Sequence, residues 1–275
     1  MRQVIAIARK ELTTYLTTPW AYVVFTFFTF VASAFFMGSL RDFKRAHDEI
    51  RAMPGGWNQV DPGLHYLRNL TDGVVSPLFS TMLIVLLLII PVLAARLFAE
   101  ERRQKTFELL MTAPITSSHI VLGKYLGGFI LVLMTMSLLL MYPLVLTLFG
   151  TSFSATTSEK TATLDWATIG LAFFGLVLWG AALLAIGAFV SSLTESVIVA
   201  IIVTFSVSLL LLIVRILAPS AEGTLRNVLE YISFESQLRN LMRGVFELRP
   251  LVFFFSVILV FLVATHRSIE SRRWV

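Results

Sequence analysis

Six uninterrupted apolar runs, most of them long enough to cross a bilayer as a helix, constrain this chain more than anything else in it. A hydrocarbon core of about 30 Å takes about 20 helical residues. Trp20–Leu40 is uncharged. Pro77–Phe98 holds Arg96 at its end, and Ile120–Phe149 holds Lys124 near its start. That third run is long enough to tilt or overshoot. Ala167–Val190 and Val197–Leu217 follow, and Leu251–Thr265 is a shorter sixth. The runs are apolar on all sides. A barrel would need alternating segments of about 10 residues, so helices are expected. Nothing outside the runs reaches the roughly 50 residues of a soluble domain. Residues 1–275 therefore read as one six-helix membrane unit.

Composition supports this. The chain is 57% hydrophobic and 14% charged, against about 45–50% and about 25% in soluble domains. Disorder and an ordinary soluble enzyme are excluded on that ground. With no Cys, a disulfide scaffold, a Cys-based zinc site and an iron–sulfur cluster are excluded too. Ala32-Ser33-Ala34 resembles a signal cleavage site, but the apolar run continues through Phe35, Phe36 and Met37. An uncleaved first span is expected. Eleven of the 22 basic residues fall on each side of the bilayer with the N-terminus inside, so the basic count alone leaves orientation open.

The polar segments carry the remaining information. In residues 1–19, Val4, Ile5, Ala8, Leu12, Tyr15 and Leu16 share one helical face, with Arg2, Arg9, Lys10 and Thr13 opposite. This pattern predicts an interfacial helix along the headgroups; a solvated extension is the alternative. Residues 41–76, with Pro54, Gly55, Gly56, Pro62 and Gly63, read as an irregular loop with room for short helices. Residues 99–118 predict a charged amphipathic helix ended by Pro114, with Glu101 and Lys105 as an i,i+4 pair. It is either a solvated connector or a docking element. Within 218–250, Leu225, Val228, Leu229 and Ile232, then Leu238, Leu241, Met242 and Val245, recur at helical spacing. Two short amphipathic helices are expected there, able to dip into the membrane as a re-entrant element and so to account for a short final span.

Reactive chemistry is missing from the sequence. No G-x-x-x-x-G-K-[ST] and no H-E-x-x-H occur, and His47, His65, His119 and His266 are isolated. Arg96, Lys124 and Arg215 lie near span ends, where they are expected to snorkel to the boundary. An ion-coupled pump with a buried carboxylate relay is disfavoured. The energy source for any transport should lie in another chain.

The stretch from Pro91 to Tyr125, with Ala99-Glu-Glu-Arg-Arg-Gln-Lys-Thr-Phe-Glu-Leu-Leu-Met at its centre, closely resembles the ABC-2 type permease family. Phe234-Glu235, Arg243-Gly244-Val245, Glu270-Ser-Arg-Arg-Trp274 and the turn Ser191-Ser-Leu-Thr-Glu195 look like the gliding-motility-associated branch. Lys105 stands where the family usually has Gly. The resemblance implies an all-α, type V exporter-like fold with six spans and both termini cytoplasmic, in a bacterial inner membrane. It implies a permease without catalytic residues, a second permease copy or homologous permease, and separate cytoplasmic ABC ATPase subunits that bind ATP and Mg. Residues 99–113 would be the coupling helix, with Glu100, Glu101, Arg102, Arg103, Thr106, Glu108, Leu109 and Leu110 at the ATPase interface. An exporter is expected. The alternative is a non-transporting mechanotransmission subunit that signals to a companion membrane or periplasmic protein. Neither reading involves nucleic acid or a cofactor in this chain.

Overall fold

The computed structural model describes residues 2–53, 69–105, 116–154, 164–217, 223, 226, 229, 231 and 233–271. These are helical with short connections, and no strand occurs among them. Helix α1 (Arg2–Thr17) ends where the hydroxyls of Thr13, Thr14, Thr17 and Thr18 bond to carbonyls four residues back, a habit that loosens a helix. Thr18 is extended, and Pro19 opens α2 (Pro19–Ala52) at a position where its missing N–H costs nothing.

Helix α2 runs well past Leu40, where the first apolar run ends. Residues 41–52 are therefore helix and not irregular loop. Phe43, His47 and Ile50 fall on one helical face and are all buried there, and no Gly or Pro interrupts the stretch between Gly38 and Pro54. Met53 turns extended, as the residue before a proline must.

A π-turn, Thr71–Val75, feeds α3 (Ser76–Ala95), which is followed by the short α4 (Ala99–Arg103). The third span comprises α5 (Ser117–Ser137), a 3-10 turn at Leu138–Leu140, and α6 (Met141–Ser154). Pro143 explains the break: its ring crowds the carbonyl of Leu139 and it cannot donate to that group. Helix α7 (Trp166–Leu193) is capped by Asp165, whose carboxylate accepts from the Thr168 hydroxyl at 2.6 Å and the Ala167 N–H at 3.0 Å. Those bonds, the Thr168 hydroxyl first, hold this carboxyl below its ordinary range. Helices α8 (Val197–Leu217), α9 (Phe234–Met242) and α10 (Leu248–Ser271) complete the chain. The last span is thus 24 residues long, not short. It gains Leu248, Arg249 and Pro250 before the apolar run and continues through His266 and Arg267 after it.

Among the described residues, six helical segments are long and apolar enough to cross a membrane. They are not equivalent. In the most apolar stretch of the second and fourth, 72% of residues are buried, against 17% in the first, fifth and sixth. Helix α7 lies at the centre, packed against α3, α5, α8, α9 and α10. Its small residues explain this position, because without a hydrophobic drive in lipid, close backbone approach is what holds helices together. Gly187 packs directly on Ala94 and Thr204, and the Tyr125 hydroxyl crosses from α5 to the Ala181 carbonyl at 3.0 Å. Helices α2, α8 and α10 turn large side chains such as Phe30, Ile198, Leu210 and Leu259 outward.

Candidate functional site

The polar residues that matter gather at one end of the bundle, where α1, the α3–α4 corner and the foot of α5 meet. Lys124 is 1% exposed. Its ammonium donates to Glu11 of α1 at 2.9 Å and to the Leu97 carbonyl at 2.8 Å, and it pairs with Glu101 of α4 at 2.9 Å. The Phe98 ring lies 5.5 Å from the same nitrogen. Lys10, exposed on α1, adds a second cation 3.4 Å from Glu101. A point charge with three donors is thus surrounded by two carboxylates, one carbonyl and one ring face.

Lys124 therefore does not snorkel. Two glycines explain why it is buried instead. They sit at Gly123 and Gly127, with Lys124 between them, and α1 lies directly on this flat strip. A Cβ at Gly123 would come 2.7 Å from the Ile7 Cβ, and one at Gly127 would come 2.7 Å from the Glu11 Cβ and 3.1 Å from the Ala8 carbonyl oxygen. The approach brings the Glu11 carboxylate over the lysine and closes it from water. The buried face of α1 is accordingly Ala8, Glu11 and Tyr15. This is displaced from the face read off the hydropathy pattern: it takes in a carboxylate, while Ile5 is left 65% exposed. A protein partner, α5, occupies α1, which the solvated-extension alternative did not allow for. Burial pushes the Tyr15 phenol far above its ordinary range, and Glu11 adds to the effect.

The corner between α3 and α4 is closed by Ser191 of α7. Its hydroxyl oxygen accepts from the Phe98 and Ala99 N–H groups at 3.1 and 3.0 Å and donates to the Ala95 carbonyl at 2.7 Å. Three backbone groups orphaned by the break between helices are thereby satisfied. Arg96 forms a two-pronged pair with Glu100 at 2.7 and 3.1 Å and lies over the Trp20 ring at 5.8 Å.

Of the expected interface residues, Glu101 is drawn into the Lys124 cluster, Glu100 is taken by Arg96, Arg102 is buried, and Arg103 is exposed. Thr106, Glu108, Leu109 and Leu110 lie outside the described residues, as does the side chain of Arg215. The helix expected to continue to residue 113 breaks early. Gln104 caps α4, and Lys105 adopts φ 56°. This left-handed conformation is normal for Gly and costly for Lys. It falls at the position where the resemblance leads one to expect Gly. The predicted Glu101–Lys105 pair is replaced accordingly, with Glu101 reaching Lys124 and Lys10.

Compared with protein families, residues 5–269 match the model of the ABC-2 family transporter proteins. The chain belongs to the ABC-2 family. Membership implies a permease subunit of an ABC transporter, a type of membrane component that typically carries no catalysis of its own and works with an ABC ATPase subunit. The match takes in the first five candidate membrane helices and nearly all of the sixth, and this ABC-2 permease is accordingly a multi-pass membrane protein. No curated protein matches the chain.

Proposed function

We propose that this ABC-2 permease is the transmembrane subunit of an exporter in a bacterial cytoplasmic membrane, with both ends of the chain facing the cytoplasm. In this reading α1, α4 and the foot of α5 form the element through which a separate ATPase, holding ATP and Mg, moves the spans. A second permease, a copy or a homologue, completes the assembly. One observation carries the reading: Lys124 ties Glu101 of α4 and Glu11 of α1 to a single point on the third span. A push on the loop that begins at α4 then moves α1 and α5 as one body, and Ser191 carries it to α7. Such a rigid-body shift suits a packed core, which is bistable more readily than it is deformable.

Glu101 supports coupling from inside the cluster, whereas Glu108 would touch the ATPase itself. The test is ATPase stimulation in membranes carrying the permease with its co-purified ATPase. Glu101→Lys should abolish stimulation, and the swap Glu101→Lys with Lys124→Glu should recover much of it. Glu108→Lys should weaken co-purification as well. Full stimulation in both single variants would overturn the coupling assignment.

A further inference from the structure

At the other end of α3, two adjoining cavities present an arrangement that coupling does not use. The larger, about 510 Å³, is lined by Asp72 of the π-turn, Ser76 at the start of α3, Arg239 of α9 and its C-cap Arg243. The smaller, about 300 Å³, is bounded by Leu87 of α3, Trp179 and Leu183 of α7, and Leu211 and Leu212 of α8. Ser80 and Leu83 line both, so the two adjoin. The polar chamber lies level with the start of α7, since the Asp165 N–H bonds to the Thr71 hydroxyl at 2.9 Å. From Asp72 to Leu87, fifteen residues of helix descend roughly 22 Å toward the middle of the bundle.

Charged side chains line the upper chamber and none lines the lower. Arg239 and Arg243, four residues apart and both exposed, make no ion pair among the described residues, and neither reaches Asp72. Below, two of the three hydroxyls on the wall are spent on their own helices: Thr81 donates to the Pro77 carbonyl and Ser208 to the Thr204 carbonyl, while Ser80 stands at the junction of the two chambers. The rest of the lower chamber's wall is mostly apolar, and it carries no charged side chain. Ile84, half-exposed on its rim, leaves it open sideways to the bilayer.

We infer that this groove binds one phospholipid, drawn from the leaflet opposite the Lys124 cluster. Its phosphate lies between Arg239 and Arg243, its head-group hydroxyls reach Asp72, and one acyl chain lies in the Leu87–Leu212 chamber. Guanidinium pairs suit phosphate because their donors match its oxygens. A soluble anion would use only the upper chamber, and a lipid tail alone only the lower. A charged chamber beside an uncharged, mostly apolar one suits a molecule that has both parts. The inference stands on residues apart from the coupling cluster and needs no ATPase.

The test is binding of phosphatidylglycerol to the purified full-length chain in detergent, read by native mass spectrometry, with a diazirine on the acyl chain to map the contact. Arg239→Ala with Arg243→Ala should reduce retained phosphatidylglycerol roughly tenfold or more. Leu212→Trp, which fills the lower chamber and leaves the arginines untouched, should reduce it as well. Photolabel should map to α3 and α8 near Leu87 and Leu212. Unchanged elution and helical circular dichroism keep both variants interpretable. Competition by inorganic phosphate with no effect of Leu212→Trp would overturn the inference in favour of a free-anion site. Equal retention of uncharged diacylglycerol would overturn it in favour of unselective annular lipid. Retention unchanged in both variants would overturn it outright.

Discussion

The two ends of the second span are built on opposite electrostatic plans. At the α4 end, the central charges are closed off: Lys124 by two carboxylates and a carbonyl, Arg96 by Glu100. At the α9 end, two arginines and an aspartate stand around a cavity, with no ion pair among the described residues. A closed cluster resists displacement because each group depends on the others being present. An open one costs the fold little and leaves its donors available. The difference separates a part suited to transmitting motion from a part suited to receiving a molecule.

The contrast can be broken most directly by removing one charge from each end. Lys124→Met leaves Glu11 and Glu101 facing each other without their cation. It should cost about 3–5 kcal/mol, the usual penalty for halving a buried pair. Arg239→Ala with Arg243→Ala should stay within about 0.5 kcal/mol each, as surface changes do. Thermal unfolding in one detergent measures both, and equal losses would erase the distinction. Gly127→Val comes next. Its side chain meets the Glu11 Cβ and the Ala8 backbone, so α1 must lift, at a cost of about 1–3 kcal/mol. A spin-label distance between the exposed faces of α1 and α5, longer in the variant than in the parent, would report the lift. The smallest effect sharpens the picture rather than breaking it. Lys105→Gly relieves a left-handed residue and should stabilise by about 1 kcal/mol. A loss of stability would mean that the lysine side chain holds the corner.

How much of this was legible in the sequence follows from what hydropathy measures. The spans were, because twenty apolar residues in a row have few other uses. Which spans lie inside was not. Helix α7 is apolar all round, so no stripe marks its buried side, and only its glycines and alanines hint that other backbones come close. The far end of α2 is hidden because the polar stretch runs on into Pro54, Gly55 and Gly56, which read as loop, although Phe43, His47 and Ile50 keep helical spacing. Lys124 was misjudged for a related reason. A cation near a span end is usually wet, and the sign that this one is not is the Gly-x-x-x-Gly strip around it. That strip is readable as a place for another helix, but Glu11, more than a hundred positions away, is needed to show what the helix brings. The early end of α4 was hidden because Lys is an ordinary helix former, and its left-handed backbone is visible only in three dimensions.

Helix α2 has a consequence of scale. At 1.5 Å per residue its 34 residues measure roughly 50 Å, against about 30 Å of hydrocarbon. Its last dozen residues form a rigid mast of roughly 18 Å. A tilt of about 10° at the bilayer surface would swing the masthead by roughly 3 Å. Rotations too small to register among the packed spans become lateral strokes comparable to the width of a side chain, at a point far from where they begin.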